Sequence, residues 1–547
     1  MMHAQVSRRG IAKFRSLFRG ADHATTGERQ NSHHMHTTRM SEPGPDGKKP
    51  ARKTVELAQH ISSETIQTAH PSLDEAMGET RGNRRVSDSE DNYPLAPSPA
   101  RQVTQPPNST NRALHGTFAM NIALAALAVA TGITAARILG PSGEGELTAI
   151  QTWPLLLGTL AMLGLDTALV YFIARQPEKG KQFTSTATLI GLLSSSVVAA
   201  VAWFVLPFLL SAEPPQVVSA ARTFLLIGLL YALVGIPHGS LRGAHAFTAW
   251  NLFRIIPGLA WLCILIVSWL LGHATAIPLS RWYLGGVLAT GLPVFIVVKR
   301  KLQGPLKPDV RMAPELLRFG LPSALTSLPQ TINLRFDQLL IIAFLPARTL
   351  GLYVIAVSWS GAVTPLLSAV GSVLFPHVSA EGDTARRGYL LATALQGGAV
   401  VAAATTVPFM LLAPFGLPLV FGSSFAPAIP SALVLVPAGA ILAWAGIAEE
   451  GLRGLGRPAI VLIAEIVAAA VTIASLPELL HSYGIFGAAI ASLLGYSTIA
   501  VFTVVAISRS THQPIRLFII PTRQAITSMM IPSTFAKRGR HKRQGVK

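Results

Sequence analysis

Cysteine is nearly absent from this chain: Cys263 is the single one in 547 residues. That excludes a disulfide framework and any cysteine-based metal site within the chain. Charge is scarce too. Only 13% of the residues are Asp, Glu, Lys or Arg, against about 25% in an ordinary soluble domain, so a conventional globular enzyme over the whole length is excluded. Acid is missing altogether from residues 508–547, which hold nine Lys or Arg. No GxxxxGK followed by Ser or Thr occurs, which excludes an intrinsic ATPase of that type. His33, His34 and the other leader histidines show no metal-ligand spacing, and no cofactor is implied.

Apolar residues make up the balance, 50% of the chain, under a formal net charge of +19. The charge is divided unevenly. Residues 1–113 carry 16 basic and 12 acidic side chains, whereas 114–507 carry only 20 and 14. The leader, 1–113, has no sustained apolar period and cannot offset its chain entropy by burial, so it reads as disordered. Val6–Arg19 is the exception, with Ile11, Phe14, Leu17 and Phe18 at helical spacing among arginines. It reads either as a solvated segment or as an interfacial helix. Met40 and later methionines are alternative starts.

From Leu114 onward, apolar runs recur at a length that crosses a bilayer, about 20 residues each. Twelve are expected, near 114–136, 147–173, 184–210, 216–237, 246–271, 277–298, 314–344, 350–376, 388–413, 425–447, 458–477 and 483–507. The 425–447 run is the least regular, with Pro427, Pro430 and Pro437. Backbone polar groups in lipid must be paired within their own segment, so these runs are helices. With the leader inside, the inner loops hold fourteen Lys or Arg and the outer loops only Arg137, Arg281 and Arg348. Both termini are therefore expected in the cytoplasm.

The two halves echo one another. Pro141 and Gly145, after the first run, match Ala347 and Gly351, after the seventh, at an offset of 206. Leu241-Arg242-Gly243 matches Leu452-Arg453-Gly454 at an offset of 211. The expected architecture is an all-α polytopic membrane protein with two pseudo-symmetric six-helix lobes, related by an axis along the membrane normal. The lobes are 114–298 and 314–507, joined by a basic linker, 299–313, and followed by a basic tail, 508–547. Leu517–Pro532 is only mildly apolar and suits the interface.

The passages ARILGPSGEGELTAIQTW, LGLDTALVYFIAR, LLRFGLPSALTSLPQTINLRFDQLLIIAFLPARTLGLYVIAVS, GLRGLGRPAIVLIAE and YGIFGAAIASLLGY resemble the lipid-linked oligosaccharide flippases of bacterial polysaccharide biosynthesis. These belong to the multidrug/oligosaccharidyl-lipid/polysaccharide exporter (MOP) superfamily. The resemblance covers about 114–507. It implies two lobes around a central cavity, alternating access, and movement of an undecaprenyl-diphosphate-linked glycan from inner to outer leaflet of a bacterial inner membrane. It also implies glycosyltransferases and a polymerase as partners besides membrane lipids; no nucleic acid is implied.

Ionisable groups inside such helices are costly, about 2.5–3.5 kcal/mol each on insertion scales, and usually face a cavity or a partner. Arg254 and Glu465 lie at inner-leaflet depth and at the 211 offset from each other. Arg254 suits the cargo diphosphate, since a guanidinium fork binds phosphate oxygens in pairs. Glu465 suits an answering or coupling role; the plainer reading pairs each within its own lobe or lets Arg254 snorkel. Arg335 is a second candidate for the diphosphate or sugar, and Asp337 for a polar contact or a lobe-stabilising network. Asp166 fits the flippase pattern, or caps a short helix starting at Thr167. Arg137 and Arg281 suit headgroups or cargo at the outer face. A cation-coupled multidrug exporter is the competing reading. A glycosyltransferase or polymerase would gather acids or bases at one water-facing site, whereas Glu144, Glu146, Glu213 and Glu478 are scattered.

Overall fold

The computed structural model describes residues 107–520, most positions between 363 and 380 excepted. The leader, with Val6–Arg19, and the basic tail beyond 520 lie outside the described residues. Among the described residues every regular element is helical and none is a strand. Eight helical stretches are long and apolar enough to cross a membrane, two of them of double length: Ala119–Arg175 with 57 residues and Pro458–Thr511 with 54.

At about 1.5 Å per residue, neither long stretch can be one crossing of a core about 30 Å thick. Glycines divide them. In α1 (Pro107–Ala161) Gly140 turns left-handed at φ 64°, separating the first two expected runs. In α14 (Pro458–Thr511) Gly484, φ 58°, separates the last two. The second run is broken again by Leu163 and Gly164, both with positive φ, before α2 (Leu165–Arg175). Gly164 sits against the backbone of Gly320, where a Cβ would overlap its carbonyl oxygen. The helix thus starts at Leu165 rather than Thr167, and Asp166 lies in its first turn without capping it.

The intervening elements follow the apolar runs. They are α3 (Gly180–Leu209), α4 (Pro215–Phe224), α5 (Leu226–Leu230), a π-helical turn at Tyr231–Gly235, α6 (Ile236–Gly243), α7 (Phe247–Leu270) and α8 (Ala276–Lys301). The expected 314–344 helix is two: α9 (Ala313–Asn333) and α10 (Phe336–Phe344), parted at Leu334–Arg335. Next come α11 (Ala347–Gly361), α12 (Thr384–Phe421), α13 (Ile429–Gly454) and, after α14, the short α15 (Arg516–Ile519). The proline-rich run is a sound helix because Pro427 falls in a 3-10 turn and Pro430 in the first turn of α13, where its missing N–H costs no hydrogen bond.

The repeat is built into the backbone. After α6 the amide of Ala246 bonds the carbonyl of Leu241 at 2.9 Å; after α13 Arg457 bonds Leu452 at 2.9 Å. These pairs differ by 211 residues, and the left-handed residue between them is His245 in one half and Gly456 in the other. Burial follows the two ends of the molecule. At the end bearing the basic loops the halves have separate cores: Leu169, Phe172 and Phe183 in the first, Leu395, Ile447 and Ile507 in the second. Leu316 of α9 packs with the first. At the opposite end one shared core joins Ile150 and Phe224 to Tyr353 and Phe425. The linker is strapped to the first half, for Lys181 donates its amide to Gln303 and Thr186 is bonded on both sides of Asp309.

Glu213 marks the end opposite the basic loops, in the turn between α3 and α4. Its Oε1 is buried without a hydrogen-bond partner among the described residues, and burial, with repulsion from Glu146, pushes its pKa from 4.5 up to about 7. The folded state then binds the extra proton, so this group's stabilisation is present at low pH and lost as pH rises through about 7. The melting temperature of the purified protein is expected to fall between pH 5 and 8, with a shallower slope in Glu213→Gln. An unchanged slope in that variant would contradict the assignment.

Candidate functional site

Two clusters of polar side chains stand at repeat-equivalent places, and their charges are opposite. The first is on α6 and α7. The π-helical turn inserts an extra residue ahead of α6 and so sets the face on which His238 and Arg242 emerge. The guanidinium carbons of Arg242 and Arg254 lie 5.5 and 4.6 Å from the centre of the Trp250 ring. His238 stacks on the same indole, 6.3 Å between ring centres and 11° between planes, and its Nε2 meets the Trp250 carbonyl at 2.9 Å. Arg254 also reaches Asn251 Oδ1 at 3.4 Å. No carboxylate pairs with either guanidinium among the described residues. Two cations gathered about one indole without a counter-charge make an anion-binding surface.

The second cluster lines a cavity of about 310 Å³ between α9, α13 and α14. Arg453 Nη1 donates to Glu450 Oε1 at 2.6 Å and its Nη2 to Glu449 Oε2 at 3.3 Å. Glu465 Oε2 accepts from Asn333 Nδ2 at 3.1 Å, while Asn333 Oδ1 is buried without a partner among the described residues. Two carboxylates thus hold one guanidinium, and a third, Glu465, lines the same cavity. The break between α9 and α10 opens onto this cavity at Leu334, the setting in which irregular backbone is tolerated at membrane depth.

The offset of 211 relates the clusters residue by residue: His238 to Glu449, Arg242 to Arg453, and Arg254 to Glu465. Sequence reasoning matched Arg242 to Arg453 as part of the repeat and Arg254 to Glu465 as site candidates, but not His238 to Glu449. Arg242 passed for an orientation charge, and His238 and Trp250 carried no ionic signal of their own. Extending the offset beyond Leu-Arg-Gly would have exposed the His238–Glu449 pair.

The other expected site residues lie elsewhere. Arg335 is exposed at the start of α10 and donates to Gln338 Oε1 at 3.1 Å. Asp337 is buried apart from the cavity lining, where it takes hydrogen bonds from Tyr353 Oη (2.5 Å), the Gln338 amide (2.7 Å) and Ser492 Oγ (3.2 Å). Asp166 is exposed beside Gly239 of α6. Arg222 lies over the Trp203 ring and bonds the Trp203 carbonyl. Arg137, exposed, donates to the carbonyls of Leu419 and Val420 at the end of α12.

Among the described residues this is the fold of a multi-pass helical membrane protein. Solved structures share this fold. An inward-facing multidrug resistance MATE family transporter of the superfamily aligns at TM-score 0.58 and 17% identity, over 71% of this chain and 95% of its own. The lipid II flippase MurJ, in an inward closed conformation, aligns at 0.63 and 14%, over 75% and 90%. A MOP superfamily transporter from Pyrococcus furiosus aligns at 0.50 and 16%, over 75% and 94%. Residues 116–380 match the family described as "Polysaccharide biosynthesis protein". No curated protein sequence matches this chain.

Proposed function

We propose that this protein is a flippase that carries a polyprenyl-diphosphate-linked oligosaccharide from the inner to the outer leaflet by alternating access, for O-antigen, capsule or exopolysaccharide assembly. The observation that carries the reading is the pair of unpaired guanidiniums, Arg242 and Arg254, on Trp250. A diphosphate has the charge and the paired oxygens that such a pair binds. The basic end is then cytoplasmic, the membrane is a bacterial inner membrane, and both termini are inside. The isoprenoid stays in lipid while the sugars enter the hydrated space between the halves. Arg335, exposed at the helix break, is placed to meet the sugar or its phosphate. Glu465, with Glu449, supplies the polar wall of the second half and a place for coupling. Asp337 holds helices together, and Asp166 lines the approach along α6. The protein makes and breaks no bond in its cargo; glycosyltransferases supply it and a polymerase consumes it.

Deleting the gene should leave a diphosphate-linked glycan on the inner leaflet, recovered by extraction of inner membranes, with surface glycan lost. Normal surface glycan in the deletion strain would remove the reading. The acidic cavity favours one alternative, a cation-coupled exporter of drugs. That alternative predicts that the purified protein binds a cationic dye in competition with protons, and that Glu465→Gln abolishes the binding.

A further inference from the structure

The matching residues of the two repeats meet each other. Gly145 is so close to α11 that a Cβ there would overlap the carbonyl of Ala347 and approach the amide of Gly351; one on Gly351 would overlap the carbonyl of Pro141 and approach the amide of Gly145. Pro141 and Gly145 correspond to Ala347 and Gly351 at the 206 offset. A contact in which each residue meets the other's counterpart is a two-fold contact, so it lies on the axis relating the halves. Small residues allow backbones this near. Both segments are at the start of helices running away from the end opposite the basic loops, so the crossing closes that end.

A second contact between the halves stands beside it. Arg137, one turn before the Gly140 kink, donates Nε to the Val420 carbonyl at 2.7 Å and Nη2 to the Leu419 carbonyl. These carbonyls are in the last turn of α12, where no further helical amide is available to them and the helix dipole is negative. One guanidinium therefore satisfies two orphan acceptors across the boundary, a charge-assisted fork. At the basic end the cores are separate, so opening the opposite end means parting this crossing and this fork.

We propose that Arg137 is the latch of the outer gate, holding the Gly145–Gly351 crossing closed while the basic end is open. The proposal rests on the alternating-access reading and the topology above, but not on the identity of the cargo. Removing the fork exposes the α12 carbonyls to water and makes opening easier, so Arg137→Ala shifts the resting population toward outward-open states. Arg137→Lys keeps the charge but loses the fork, and should fall between.

The test uses the full chain in a Cys263→Ser background with one reporter cysteine at a time. Ile355→Cys, one turn from Gly351 and buried in the shared core, reports the outer side. Gly446→Cys, which lines the cavity with open space about its Cβ, reports the inner side. With a membrane-impermeant maleimide, Arg137→Ala should raise outer labelling about ten-fold, the change expected for one charge-assisted bonding group, and lower inner labelling. The outer rise should be smaller in Arg137→Lys. Unchanged outer labelling overturns the proposal. So does a rise at both reporters, which would mean a loosened fold, or an outer rise without the inner fall. Cargo is absent throughout, so failure here is distinct from failure of the flippase reading.

Discussion

Arg254→Ala should reduce transport by about ten- to a hundred-fold at unchanged membrane abundance, the range for losing hydrogen bonds to a charged group. The variant removes a guanidinium that has no carboxylate to leave behind, so folding has little reason to suffer. Arg242→Ala should act in the same direction and the double variant by less than the product, since both arms hold one anion. Arg254→Lys keeps the charge but not the fork and should recover only part of the rate. Measured as surface glycan in a complemented deletion strain, wild-type output from Arg254→Ala would remove this residue from the site. Trp250→Ala should resemble the double variant, because the indole carries both guanidiniums.

Asp337→Ala should cost the protein its stability rather than its specificity. The carboxylate accepts from α11, α14 and its own helix, so truncation leaves the Tyr353 and Ser492 hydroxyls buried with a partner gone. About 1–3 kcal/mol is lost for each buried group left unsatisfied. The measurement is the melting temperature and yield of the detergent-purified protein. A fully stable Asp337→Ala that fails only in transport would move Asp337 from the scaffold to the cargo path. Asp337→Asn keeps acceptor and shape and should lose less.

The helical layout was readable from apolar runs because lipid permits few alternatives for a spanning backbone. The breaks were less so. The gaps between apolar runs imply breaks near Gly140 and Gly484, but only their left-handed φ fixes the residue at which each long helix divides. The parting of α9 from α10 has no proline at Leu334–Arg335; it follows from the cavity beneath it. Arg254 and Glu465 could be picked out because a charge in an apolar run is conspicuous. Trp250 and His238 could not, since an aromatic in a membrane helix is ordinary until two guanidiniums are found over it. Arg137 could not be read as a link between the halves because its partners are main-chain carbonyls nearly three hundred residues away, and carbonyls leave no mark in a sequence.

The central claim is tested most directly by reconstitution. Protein in sealed vesicles of defined orientation is given a polyprenyl-diphosphate-linked oligosaccharide in the leaflet facing its basic end. Appearance of the sugar at the opposite leaflet is followed with an impermeant glycosidase or lectin. The account predicts time-dependent transfer with the native chain and transfer near the protein-free level with Arg242→Ala/Arg254→Ala. Transfer no faster than in protein-free vesicles, or equal rates for the native chain and the double variant, would contradict it.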